Sequence, residues 1–222
     1  MRVLLIDCYI DDAGSRRFFE PLIDASLTVV RPPVIGGMQG VGSVDAVVIS
    51  GSRASANDED AWVRDTVGWV REAVGSDVPV LGVCFGHQVL AAAVGGQVRQ
   101  RDRAEVGFLP VALADDPLLS AVPSQLLPFV SHGDEVVPDG PFQVLGRSDA
   151  CAVQALRVPG KRAWGTQFHL EYSLDEQERI LRYRAETHPE LGLDVDAELA
   201  RQRDTTGDGR ALMQRFLTLA GA

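Results

Sequence analysis

The residues best suited to chemistry lie in Val78-Pro79-Val80-Leu81-Gly82-Val83-Cys84-Phe85-Gly86-His87-Gln88-Val89-Leu90. An apolar run ends in Gly-x-Cys-x-Gly and helix-favouring residues follow at once, the sequence form of a nucleophile elbow with cysteine as the nucleophile. A sharp strand-to-helix turn strains its central residue and brings neighbouring chains close. Glycine at 82 and 86 removes the side chains that would clash. Cys84 is then expected at a helix N-terminus, where the dipole favours thiolate over thiol. The backbone N–H of Phe85 is free to meet a developing oxyanion. The same residues also suit a small buried cysteine between two turn glycines, but the position between an apolar strand and a helix favours the chemical reading. Cys84 and His87 are too few for a zinc set, and no metal is expected.

A nucleophilic cysteine needs an oriented base. The four histidines are His87, His132, His169 and His188. His188 precedes a proline in a polar segment and reads as a surface residue. His87 lies one helical turn beyond Cys84 and reaches the sulfur poorly. His132 stands in Ser131-His132-Gly133-Asp134-Glu135, and His169 ends the apolar run Trp164-Gly165-Thr166-Gln167-Phe168, two residues before Glu171. Residues two apart in an extended segment face the same way, so His169-x-Glu171 sets a carboxylate beside an imidazole. His169 is the best base candidate.

These groups need elements to hold them. Apolar runs at Val3–Asp7, Ser26–Val30, Val44–Ser50 and Val78–Cys84 predict strands. Helices are expected over Ser15–Ala25, from Ala61 to a stop at Gly75, and over Gly86–Val94. Strand alternating with helix predicts a parallel sheet covered on both faces. Gly36 to Gly42 reads as loop. In the second half, strands are predicted at 106–113, 127–131, 143–145, 150–156 and 162–168. Their connections are too short for helices, so some must be antiparallel. Ser173 with Glu176 forms a capping box for a helix to about Glu186, and a last helix spans about Gly209–Leu219. The polar stretch 188–207 matches no motif.

The chain has 222 residues, a net charge of −10, and 45% hydrophobic residues. That is enough for one large domain with a proper core, expected over residues 1–222. The acidic balance disfavours nucleic acid and anionic membrane surfaces as partners. No segment reaches the roughly 18 apolar residues of a membrane span, and no signal peptide is evident, so a cytoplasmic location is expected. Cys8, Cys84 and Cys151 suit a reduced compartment, with Cys8 and Cys151 as buried thiols. Trp62, Trp69 and Trp164 read as packing residues. Asp58-Glu59-Asp60 either opens a helix or rims the substrate entrance.

The sequence resembles the class I (triad-type) glutamine amidotransferases, in particular the amidotransferase domain of GMP synthetase and its free-standing relatives. Four blocks carry the resemblance: Ile49-Ser50-Gly51-Ser52, Pro79 to Gln88, Ser131 to Val136, and Gly165 to Glu171. The resemblance implies Cys84 as nucleophile, His169 as general base and acid, and Glu171 as orienting carboxylate. It implies an oxyanion hole from the N–H groups of Gly51 and Phe85, with Gln88, Ser131 and His132 helping to hold glutamine. The fold implied is a three-layer α/β sandwich of flavodoxin-like type, with the site at the carboxyl ends of the strands. Two departures stand out. Ser50-Gly51-Ser52 replaces the usual Gly-Gly-Pro, and Leu170 replaces the usual proline between histidine and glutamate. Both leave the necessary glycine and spacing intact.

The chemistry expected is acyl transfer from a γ-glutamyl amide through a Cys84 thioester, releasing glutamate and ammonia without metal or organic cofactor. The chain carries no Walker-type phosphate loop. One reading is a glutaminase serving a separate ammonia-accepting synthetase subunit. A second is a self-sufficient hydrolase of γ-glutamyl peptides or small molecules. A third, disfavoured by the complete triad, is an inactive binding or regulatory subunit.

Overall fold

Strands that are apolar on both faces can only be satisfied at the centre of a layered structure, and the first half of the chain supplies them. A computed structural model describes residues 1–38 and 43–222. Four parallel strands come first: β1 (Arg2–Ile6), β2 (Ser26–Val30), β3 (Ala46–Ile49) and β4 (Val80–Val83). Of the loop expected over 36–42, Gly36 caps a short helix, α2 (Pro32–Ile35), and residues 39–42 lie outside the described residues.

These strands join a nine-stranded sheet in the order β2-β1-β3-β4-β11-β10-β9-β6-β7. β11 (Ala163–Thr166) runs parallel to β4. β10 (Ala155–Arg157), β9 (Gln143–Arg147), β6 (Val111–Leu113) and β7 (Gln125–Leu126) continue it antiparallel. The change from parallel to antiparallel falls where the connections become too short for a crossover helix.

Alternate residues of one strand serve different layers. Val3 and Leu5 of β1 pack with Ala46, Val48, Leu81 and Trp164 beneath α1 (Arg16–Phe19) and α7 (Thr206–Ala220), which contribute Phe19, Leu212, Met213 and Phe216. Leu4 and Ile6 pack on the other face with Val47, Ile49 and Val80 beneath α3 (Ala61–Gly75) and α4 (Phe85–Ala93), which contribute Val63, Val70, Phe85, Val89 and Leu90. The result is the expected three-layer α/β sandwich.

Several boundaries differ from expectation for identifiable reasons. The helix expected over 15–25 gives way after α1 to a 3₁₀ turn at Glu20–Leu22, because Pro21 cannot donate within a helix. The strand expected over 106–113 divides at Leu109-Pro110 into β5 (Val98–Phe108) and β6. β5 begins eight residues before its apolar part and pairs with β8 (Phe129–Val136) in a separate two-stranded sheet. The polar stretch 188–207 holds α6 (Val195–Arg201), a helix that buries none of its residues. Its Glu198 carboxylate accepts the Phe108 N–H at 2.8 Å, bracing β5. Gln202, just beyond α6, donates to the carbonyl of Leu174 at 2.7 Å, in the first turn of α5 (Leu174–Thr187). Ser173 caps α5 by accepting from the Glu176 N–H. No helix among the described residues is long and apolar enough to cross a membrane.

Candidate active site

Cys84 occupies the turn between β4 and α4 with φ 54° and ψ −103°, a strained conformation for a residue with a side chain. The turn is held from three directions. The Cys84 N–H donates to the Thr166 carbonyl at 2.7 Å, the Gly86 N–H to the Ser50 carbonyl at 3.1 Å, and the Gln88 N–H to the Cys84 carbonyl at 3.2 Å. A Cβ at position 82 would overlap the Gly86 carbonyl, and one at 86 would overlap the Ile49 carbonyl. Close approach of backbone to backbone therefore requires both glycines.

His169 follows β11, next to β4 in the sheet, and its N–H is pinned to the Phe129 carbonyl at 2.9 Å. Its Nδ1 faces the Glu171 carboxylate at 2.7 Å, and the other Glu171 oxygen accepts the Leu170 N–H at 3.0 Å. The His-x-Glu segment is thus closed by its own local bonds. Both side chains are buried. Burial opposes the imidazolium, but the charges of Glu171 and Cys84 and hydrogen bonds to both outweigh it, and the His169 pKa is raised well above its usual value. Nδ1 held by Glu171 leaves Nε2 for proton exchange at the sulfur. Tyr172 stacks on the imidazole with ring centroids 4.5 Å apart, and its hydroxyl is bonded to that of Tyr9.

Gly51 lies against this pair: a Cβ there would stand 3.3 Å from His169 Cε1 and 3.6 Å from the Cys84 Cβ. Among the described residues, neither the Gly51 nor the Phe85 N–H donates to a protein acceptor, so both remain available to an oxyanion. Cys84, His169, Gly51 and Ser131 line one cavity. It is roofed by Ile180, Tyr183 and Arg184 of α5 and walled by Tyr9, Ile10 and Asp11.

The other candidates fall elsewhere. Gln88 and His132 do not line the cavity. The Gln88 amide donates to the Asp134 carbonyl and to Gln167 Oε1, both at 3.1 Å, tying α4 to β8. His132 turns its Nδ1 to the Asp134 carbonyl at 2.8 Å and its Nε2 to the Glu105 carboxylate at 2.8 Å, in a buried group that includes Cys151. Neither side chain faces the cavity. His87 is fully buried, and burial pushes it down to about 3, so it stays neutral. His188 pairs with Glu190 at the surface. Cys8 and Cys151 are buried thiols, the latter pushed up to about 11 mainly by burial. Asp58, Glu59 and Asp60 precede α3 and take no part in the cavity lining. Trp62 packs on Phe85 and Trp164 on Phe216. Sequence reasoning missed Tyr172 and the roof of α5, which carry no motif and reach the site only through the fold.

The family model for glutamine amidotransferase class-I matches residues 4–185, which include the elbow, the Ser131 segment and the His-x-Glu pair. The chain belongs to this family. The amidotransferase chain is 39% identical over 106 residues to a glutamine-hydrolyzing GMP synthase subunit of Methanococcus maripaludis (strain C6), covering 47% of this chain and 56% of that protein. It is 34% identical over 184 residues to a glutamine-hydrolyzing GMP synthase of Thermotoga sp. (strain RQ2), covering 77% of this chain and 34% of that one. The chain thus spans about half of the first relative and a third of the second. The fold is similar to a glutamine amidotransferase of Thermotoga maritima at TM-score 0.81 and 22% identity, with 98% of each chain covered.

The histidine environment gives a pH prediction for this amidotransferase. Glu171 raises His169, so the imidazolium persists above the ordinary histidine range and is lost only as pH rises through the raised pKa. Glu171→Gln removes the charge and is expected to move the alkaline limb of Cys84 alkylation toward neutrality. An unmoved limb in that variant would remove Glu171 from this role.

Proposed function

We propose that residues 1–222 act as one amidotransferase unit that hydrolyses the side-chain amide of glutamine, releasing glutamate and ammonia for a separate acceptor enzyme. The observation that carries this reading is the meeting of Cys84, the Glu171-bound His169 and Gly51 on one cavity, with the uncommitted Phe85 amide next to Cys84 in the elbow. The relatives named as glutamine-hydrolyzing GMP synthases support both the substrate and a synthetase as the consumer of ammonia.

The Cys84 thiolate adds to the γ-carbonyl carbon, and the carbonyl oxygen becomes an oxyanion held by the Gly51 and Phe85 N–H groups. His169 gives its proton to the amide nitrogen, the C–N bond breaks, and ammonia leaves a γ-glutamyl thioester. A water then gives a proton to His169 and adds to the thioester carbon. The C–S bond breaks, glutamate departs, and the thiolate–imidazolium pair is restored. General acid–base catalysis supplies about 10²–10⁴ and each oxyanion donor about 10²–10³ in rate. Serving a partner synthetase distinguishes this reading from stand-alone γ-glutamyl hydrolysis. Ammonia release from glutamine, measured with and without an ATP-dependent GMP synthetase partner, is expected to rise when the partner is added. Rapid turnover of γ-glutamyl peptides alone, with glutamine untouched, would overturn it in favour of the stand-alone hydrolase.

A further inference from the structure

Three arginines and one aspartate line the cavity, in a chain whose net charge is −10. The charged residues around the nucleophile are Asp11, Arg53, Arg179 and Arg184. Asp11 and Arg179 are already partnered, and Arg53 is exposed to solvent. Asp11 accepts the Gly14 N–H at 3.0 Å. Arg179 is neutralised by Glu176 at 2.6 Å. Arg53 donates to the Tyr183 hydroxyl at 2.9 Å and lies over its ring.

Arg184 differs. It is half-buried on α5 and donates from Nε to the Ser131 hydroxyl at 3.1 Å. Among the described residues no carboxylate lies within ion-pair distance of it. A guanidinium offers five donors in a rigid fork, so a bond at Nε fixes its plane and leaves the terminal nitrogens free for a planar anion. Ser131 also links the guanidinium to the chemistry, because its carbonyl faces the Cys84 sulfur at 3.9 Å while its hydroxyl holds Arg184. An orienting bond on one side and an open donor edge on the other are what carboxylate recognition needs.

We infer that Arg184 is a specificity-determining residue that takes a carboxylate of the γ-glutamyl substrate. The inference rests on the reading of the cavity as a γ-glutamyl site. A γ-glutamyl compound offers two sources of that chemistry: the α-carboxylate of the glutamyl group, or a carboxylate on the amine that leaves. The first source makes Arg184 part of glutamine recognition, and the second gives preference to γ-glutamyl amino acids.

The test is calorimetric binding to the Cys84→Ala protein, with and without Arg184→Gln. The ligands are glutamine, glutaminamide, γ-glutamylglycine and γ-glutamylglycinamide. If the α-carboxylate is the partner, Arg184→Gln weakens every ligand except glutaminamide by about 10–100-fold, the range of charge-assisted hydrogen bonds. If the leaving-group carboxylate is the partner, only γ-glutamylglycine is weakened. Arg184→Lys recovers part of the loss in both cases. Equal affinities in the two proteins, or glutaminamide weakened as much as the rest, overturn the inference and leave the γ-glutamyl reading standing. Failure of the Cys84→Ala protein to bind any of the four overturns both. Unchanged alkylation of Cys84 by iodoacetamide in the Arg184→Gln single variant establishes that the site remains folded.

Discussion

Replacing Cys84 with alanine is expected to reduce ammonia release from glutamine to background, a loss on the order of 10⁶ in kcat, the scale for a nucleophile that works as a unit with its base. No other thiol substitutes for it. Cys8 and Cys151 are buried, and burial pushes both thiols up, so neither offers a thiolate at neutral pH. His169→Ala is expected to cost a comparable factor, because the proton for the departing ammonia then has no carrier. The double variant should be no worse than the poorer single one, since each step needs both groups. Labelling by a glutamine-like electrophile, read by intact mass, separates the roles: Cys84→Ala takes no label and His169→Ala takes it slowly. A Cys84→Ala protein that retains more than about 1% of activity ends the nucleophile assignment. Undiminished labelling of His169→Ala ends the assignment of the base.

The second large effect concerns a residue with no side chain. A methyl group added by Gly82→Ala meets the backbone carbonyl of Gly86, which is fixed within α4 and cannot rotate away. The turn must open or β4 must retreat from β3 and β11, both of which it pairs with. Overpacking of this kind costs about 3 kcal/mol when no flexible side chain can yield. For a chain of this length each kcal/mol moves Tm by roughly 2–4 °C, so a fall of about 6–12 °C is expected in a thermal melt. Cys84 should lose its reactivity with iodoacetamide in parallel. A shift under about 2 °C with normal reactivity would show that the elbow tolerates a side chain there.

Sequence legibility followed the locality of each feature. β1, β3, β4 and β11 were readable because burial on both faces leaves an unbroken apolar run. α3 was readable from the spacing of Val63, Val67, Val70 and Val74. Cys84, Gly82, Gly86, His169 and Glu171 stood out because each works with neighbours a few residues away. α6 was invisible because it buries nothing and contributes one carboxylate, Glu198, to a distant N–H. The first part of β5 was invisible because Arg99, Arg101, Asp102 and Arg103 suit a two-stranded sheet open to water. Arg184 reaches the cavity only because α5 folds back over it, 53 residues from the serine that holds it. Gln88 and His132 match the family blocks in position, and their side chains bond the Asp134 carbonyl away from the cavity lining, a placement the motif alone does not specify.

The hydrogen bond from the Cys84 N–H to the Thr166 carbonyl continues the ladder between β4 and β11. Nucleophile and base therefore hang from adjacent strands in the middle of a nine-stranded sheet. Drawing them apart requires opening the interior of that sheet, an event on the scale of global unfolding, whereas the α5 roof is no part of the sheet and belongs with Phe108, Phe129 and Tyr172 to a separate cluster through Leu181. The nucleophile and its base are thus fixed by the sheet, while the residues of α5 that roof the cavity are carried by an element outside it.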